Sequence, residues 1–65
     1  MALPENLKTA RLNLGLTLEE VAKRLNVGYP AVYKWENGIM MPNAVRIVEL
    51  AEIFGTTAEK LVKGK

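Results

Sequence analysis

The sequence predicts an all-α fold of five short helices. Apolar residues recur at helical spacing in successive short stretches, and helix-start and helix-stop residues separate those stretches. No segment keeps the alternation of a half-buried strand, although Val27 to Val32 tolerates extended backbone.

Pro4 suits a first helical turn, and Leu3, Leu7, Ala10 and Leu14 then recur on one face until Gly15 supplies a stop, which predicts a first helix over about residues 4–14. Thr17 followed three residues later by Glu20 is a capping box. It opens a second helix over 18–25 with Leu18, Val21, Ala22 and Leu25 inward and Asn26 as a left-handed stop. Gly28 caps the third helix, 29–36. Pro30 is tolerated there only in the first turn, Val32 and Trp35 form its apolar stripe, and Asn37-Gly38 ends it. Pro42-Asn43 starts a fourth helix, 44–54, with Ala44, Ile47, Val48, Ala51 and Phe54 inward and Gly55 as its stop. Thr57 caps a last helix, 58–63, whose inner residues are Ala58, Leu61 and Val62 before a polar Lys63-Gly64-Lys65 tail that frays.

Residues 1–65 read as one domain, since no linker or low-complexity stretch divides them. So short a chain buries only roughly 60% of its unfolded surface, and without cysteine neither a disulfide nor a thiolate metal site can supply stability. Helix packing must do it, and a hydrophobic fraction of 49% makes that feasible. Met1 to Leu16 is interrupted by Glu5, Asn6, Lys8, Arg11 and Asn13, so it offers neither a signal-peptide core nor a membrane span, and the expected location is the cytoplasm. A net charge of +2 is compatible with nucleic acid but too small to argue for it. The chain has no His, Cys, Ser, Asp or Gln. A nucleophile and its base would have to come from Thr, Tyr, Lys or Glu, and no phosphate-cradling loop, nucleophile elbow or zinc spacing is present. No catalytic residue, cofactor, metal or small-molecule ligand is therefore assigned.

The two short helices joined at Asn26-Val27-Gly28 match a helix-turn-helix running from Thr17 to Gly38. More specific is the run Gly15-Leu16-Thr17-x-Glu19-Glu20-Val21-Ala22-x-x-Leu25, then Val27, Val32, Trp35-Glu36-Asn37-Gly38 and Pro42, with Leu50-Ala51-x-x-Phe54-Gly55 in the fourth helix. From about Leu7 to Val62 the chain resembles the Cro and phage-repressor (Xre-type) family. The resemblance implies a five-helix, lambda-repressor-like domain and a bacterial, archaeal or phage origin. It also implies sequence-specific binding of double-stranded DNA in transcriptional regulation, chiefly repression. The expected assembly is a homodimer on half-sites roughly 34 Å apart.

Carried over by the resemblance, Arg11 and Glu36 form a largely buried ion pair between the first and third helices. Trp35 lies on the Val32 stripe and reads as core. Thr17, Leu18 and Asn43 stand where helix N-termini meet phosphates, with simple helix capping as their plain role. Asn37 is either a phosphate ligand or a turn residue before Gly38. Base reading falls to Gly28, Tyr29, Pro30, Tyr33 and Lys34.

Three departures from the family stand out. The third helix has no Gln, Ser or Arg, Leu18 replaces a common glutamine, and Ile39-Met40-Met41 occupies a place where relatives carry basic residues. The alternative reading is a protein-interaction module on the same scaffold. It would use Ile39-Met40-Met41 as an apolar contact patch, unless that tripeptide folds onto the core beside Trp35.

Overall fold

A computed structural model describes residues 2–64 and contains α1 (Ala2–Asn13), α2 (Leu18–Leu25), α3 (Tyr29–Glu36), α4 (Ala44–Phe54) and α5 (Ala58–Lys63). Relative to the sequence reading, α1 starts two residues earlier and stops one earlier, leaving Leu14 outside the helix and exposed. Pro4 stands third in α1, where no intrahelical acceptor is needed for the amide it lacks. Lys65 of the expected frayed tail lies outside the described residues. Gly64 caps α5 in the left-handed conformation, with its amide donating to the Lys60 carbonyl at 2.8 Å.

Short helices gain little from propensity and depend on their ends and their inner faces. Thr17 Oγ1 accepts the Glu20 amide at 3.0 Å while Glu20 Oε1 accepts the Thr17 amide at 2.8 Å. Asn26, at φ 59°, closes α2, and the Val27 amide reaches back to the Ala22 carbonyl. Asn43 Oδ1 and Thr57 Oγ1 accept the amides of Arg46 and Lys60. After α3 the chain turns at Gly38, whose φ of +71° strains any residue with a Cβ, and the Ile39 amide returns to the Lys34 carbonyl at 2.9 Å.

The inner faces meet in one core made of Leu3, Leu7, Val21, Ala22, Leu25, Val32, Trp35, Leu50, Ala51 and Leu61. Helix α1 packs on α3 and α5, α2 on α3 and α4, and α4 on α5. Two expectations for the last helices fail. Ala44 and Val48 face outward, and Leu50, absent from the inner stripe read from the sequence, is among the most deeply buried side chains. Helix α4 carries eight apolar residues in eleven, so two stripes satisfy helical spacing. The charges of Arg46, Glu49 and Glu52 exclude neither stripe. Packing selects Ile47, Leu50, Ala51 and Phe54, the stripe that meets α2 and α5. Val62 is likewise exposed, because Leu61 fills the seat against α1 in its place.

Two side chains tie helices together without having been marked in the sequence. Asn6 Nδ2 donates to the Leu61 carbonyl at 2.7 Å, joining α1 to α5. Arg46 Nη1 donates to the Leu25 carbonyl at 3.1 Å and to Glu49 Oε1 at 2.9 Å, joining α4 to the C-terminal end of α2. Among the described residues no buried side-chain nitrogen or oxygen lacks a hydrogen-bond partner.

Candidate nucleic-acid interface

Val32 and Trp35 anchor α3 in the core, and this fixes which of its residues remain outside. At 100° per residue, Tyr29, Tyr33, Pro30 and Lys34 then occupy one continuous outer arc, and all four are exposed together with the capping Gly28. The five residues read from the sequence as base-facing thus share one surface. Tyr29 and Tyr33, one turn apart, are 51% and 48% exposed, so about half of each residue's surface is free.

Arg11 holds this helix against α1. Its Nε donates to Glu36 Oε2 at 2.7 Å, its Nη2 to Glu36 Oε1 at 3.1 Å and its Nη1 to the Leu16 carbonyl at 2.9 Å. The two side chains are only 11% and 4% exposed, so the pair is withdrawn from solvent and bidentate, the geometry that best offsets desolvation. One guanidinium therefore fixes both the C-terminal turn of α3 and the loop leading into α2.

The N-terminus of α2 is less open to anions than helix geometry alone suggests. Of its orphan amides, Glu20 and Thr17 are engaged in the capping box, which leaves those of Leu18 and Glu19. The carboxylates of Glu19 and Glu20 stand in the same turn. Asn43, an exposed residue, presents α4 in the same manner, its Oδ1 committed to the Arg46 amide. Asn37 donates one Nδ2 hydrogen to the Tyr33 carbonyl at 2.8 Å, so it acts as a cap and has one further hydrogen to give.

Hydrogen bonds from the backbone and then the side chain of Thr17 hold the Glu20 carboxyl below its ordinary value of 4.5 against an opposing effect of desolvation, with the charge of Arg24 adding the smallest contribution. A depressed folded-state value means that this contribution to stability is fully present above pH 4.5 and is lost as pH falls through the lowered value. The melting temperature of the wild type is therefore expected to fall in that acidic window more steeply than that of Glu20→Gln. Parallel melting-temperature curves for the two proteins would show that the capping carboxylate carries no pH dependence.

Ile39, Met40 and Met41 are 63%, 53% and 49% exposed, so the loop after α3 does not fold onto Trp35. The sequence left both placements open. Among the described residues, no cluster of His, Cys, Asp or Glu could hold a metal ion, and no helix is long and apolar enough to cross a membrane.

Comparison with known proteins places this geometry. The HTH-type transcriptional activator BcrR of Enterococcus faecalis is 32% identical over 65 residues, covering 100% of this chain and 32% of BcrR. The chain therefore spans about a third of the length of that curated relative. The P22 c2 repressor in complex with synthetic operator 9T is similar at a TM-score of 0.93 and 22% identity, covering 100% of this chain and 98% of that one. Hydroxypropylphosphonic acid epoxidase from S. wedmorenis is similar at a TM-score of 0.84 and 24% identity, covering 92% of this chain and 32% of that one. At these identities the structural likeness is one of fold, and the fold occurs in chains of different activity. The helix-turn-helix family matches residues 7–61, from the middle of α1 into α5 and through the whole Thr17 to Gly38 motif, and the chain belongs to that family.

Proposed function

We propose that the chain binds double-stranded DNA sequence-specifically as a transcriptional regulator working in the cytoplasm, with α3 lying in the major groove. The observation that carries this reading is the exposed arc of α3 within a domain whose family match includes both helices of the motif. A fold shared with a repressor whose structure contains operator DNA supports it. Gly28, Tyr29, Pro30, Tyr33 and Lys34 would face base edges, and the ends of α2 and α4 at Thr17, Leu18 and Asn43, with Asn37, would face phosphates. The named relative is an activator and the solved relative a repressor, so the proposal covers regulation of either sign, with repression as the expectation drawn from family resemblance. No catalytic role is part of it.

Binding as a homodimer belongs to the same proposal. Ala44, Val48, Ala58 and Val62 line an apolar groove of about 370 Å³ between α4 and α5, with Glu59 and Lys63 at its border. The outward turn of α4, which the sequence reading placed inside, supplies one wall.

Few cations face the groove-reading side. Lys34 stands alone among the side chains of the exposed arc, while Glu19 and Glu20 oppose phosphate at α2. Each phosphate neutralised contributes roughly 0.9 to the slope of log K against log salt, so the slope should be shallow for this family. Titration of labelled random duplex at several salt concentrations tests both statements. Lys34→Ala is expected to weaken binding. Unchanged binding in Lys34→Ala, Tyr33→Ala and Asn37→Ala alike would remove α3 from the interface.

The exposure of Ile39, Met40 and Met41 favours a second reading, a protein-interaction surface on the same scaffold. Failure to bind any duplex at low salt would select it.

A further inference from the structure

We propose that α3 reads pyrimidine C5-methyl groups, with the Tyr29 and Tyr33 rings and the Pro30 ring as the apolar surface that contacts them. The proposal rests on the DNA-binding reading above and specifies what part of the base pair that interface recognises.

Every side chain on the exposed arc of α3 is Tyr29, Pro30, Tyr33 or Lys34, Gly28 having none. None carries the amide that pairs with adenine through N6 and N7, and none carries the guanidinium fork that pairs with guanine through O6 and N7. Arg11, the arginine bonded to α3, has all three of its guanidinium nitrogens committed to Glu36 and Leu16. A tyrosine hydroxyl rotates and is both donor and acceptor, so it bonds either kind of base edge with little discrimination. Lys34 is a flexible donor-only point charge.

What the arc does offer is apolar area at fixed positions. Tyr29 and Tyr33 sit at i and i+4 on a helix whose opposite side is locked by Val32 and Trp35, and each residue is about half exposed. Pro30 adds a rigid ring beside Tyr33 on the arc. In the major groove the base-edge feature that an apolar surface distinguishes is the thymine C5-methyl, absent from cytosine and from both purines. Half-sites should therefore contain thymines at the positions facing Tyr29 and Tyr33.

The test uses chemistry that removes only the methyl. Duplexes bound by the wild type are first selected from a random pool, then resynthesised with deoxyuridine in place of thymidine. Wild-type affinity is expected to fall roughly fourfold for each contacted methyl lost, the burial of one methyl-sized group. Tyr29→Phe and Tyr33→Phe should keep the preference for thymine over uracil, because the ring remains. Tyr29→Ala and Tyr33→Ala, at surface positions, should each reduce that preference by roughly the fourfold share of the methyl its ring contacts, and the double variant should reduce it further, with circular dichroism showing that they fold. Equal wild-type affinity for the two duplexes overturns the methyl assignment and leaves DNA binding standing, and an undiminished preference in both alanine variants overturns the role of the tyrosines. Retention of no duplex at low salt overturns DNA binding and the methyl reading with it.

Discussion

Arg11→Ala is expected to unfold or loosen the domain. Removing one partner of a buried pair costs about 3–5 kcal/mol, because the remaining charge stays in a place built for a counter-ion. Here the survivor would be Glu36, with a side chain only 4% exposed, and the Leu16 carbonyl would lose its donor as well. A chain of 65 residues has about 3–10 kcal/mol of stability in total, so the loss consumes from about a third to all of it. In a domain of this size each kcal/mol shifts the melting temperature by about 4–8 °C, which places the expected drop above about 12 °C. Thermal melting followed by circular dichroism measures it, and an unchanged midpoint would refute the structural role. The double variant Arg11→Met with Glu36→Leu should recover much of the loss, since no uncompensated charge remains. That recovery would separate charge pairing from simple packing.

Trp35→Ala should cost a comparable amount, about 3–5 kcal/mol, by opening a cavity in the core. Trp35 is 6% exposed and joins Val32 in anchoring α3 among Leu3, Leu7, Val21, Leu25 and their neighbours. An aromatic residue on the helix proposed to read DNA invites the idea of a base-stacking platform, and burial decides against it here. The consequence is a dissociation of effects. Trp35→Ala should lose folding, whereas Trp35→Phe, which fills much of the same space, should fold and keep its duplex affinity. Normal stability with lost affinity in Trp35→Phe would return the indole to the interface.

The parts of this fold legible in the sequence are those governed by local chemistry. Thr17 with Glu20, Asn26, Asn43 and Thr57 mark helix ends because each satisfies backbone groups within three or four residues of itself. The exposed arc of α3 was legible for a related reason: Val32 and Trp35 are the large apolar residues buried in an eight-residue helix, and they decide which side faces out. In α4 the abundance of apolar residues erased that contrast, and tertiary packing on α2 and α5 chose Leu50 over Val48. The ties from Arg46 to the Leu25 carbonyl and from Asn6 to the Leu61 carbonyl join residues 21 and 55 positions apart. Periodicity and capping rules contain no information about such pairs. The loop at Ile39-Met40-Met41 was undecided because apolar composition predicts burial whereas the left-handed turn at Gly38 leads the chain along the surface.

The division of α3 into a buried side and an exposed arc separates two kinds of sequence constraint. Val32, Trp35 and Glu36 bind the helix to the domain, while Tyr29, Tyr33 and Lys34 contribute little to the core. Exchanges at such surface positions usually change stability by no more than about 0.5 kcal/mol. The scaffold can therefore be re-addressed: one set of residues keeps the helix seated while the other is rewritten for a different target, each without the consent of the other.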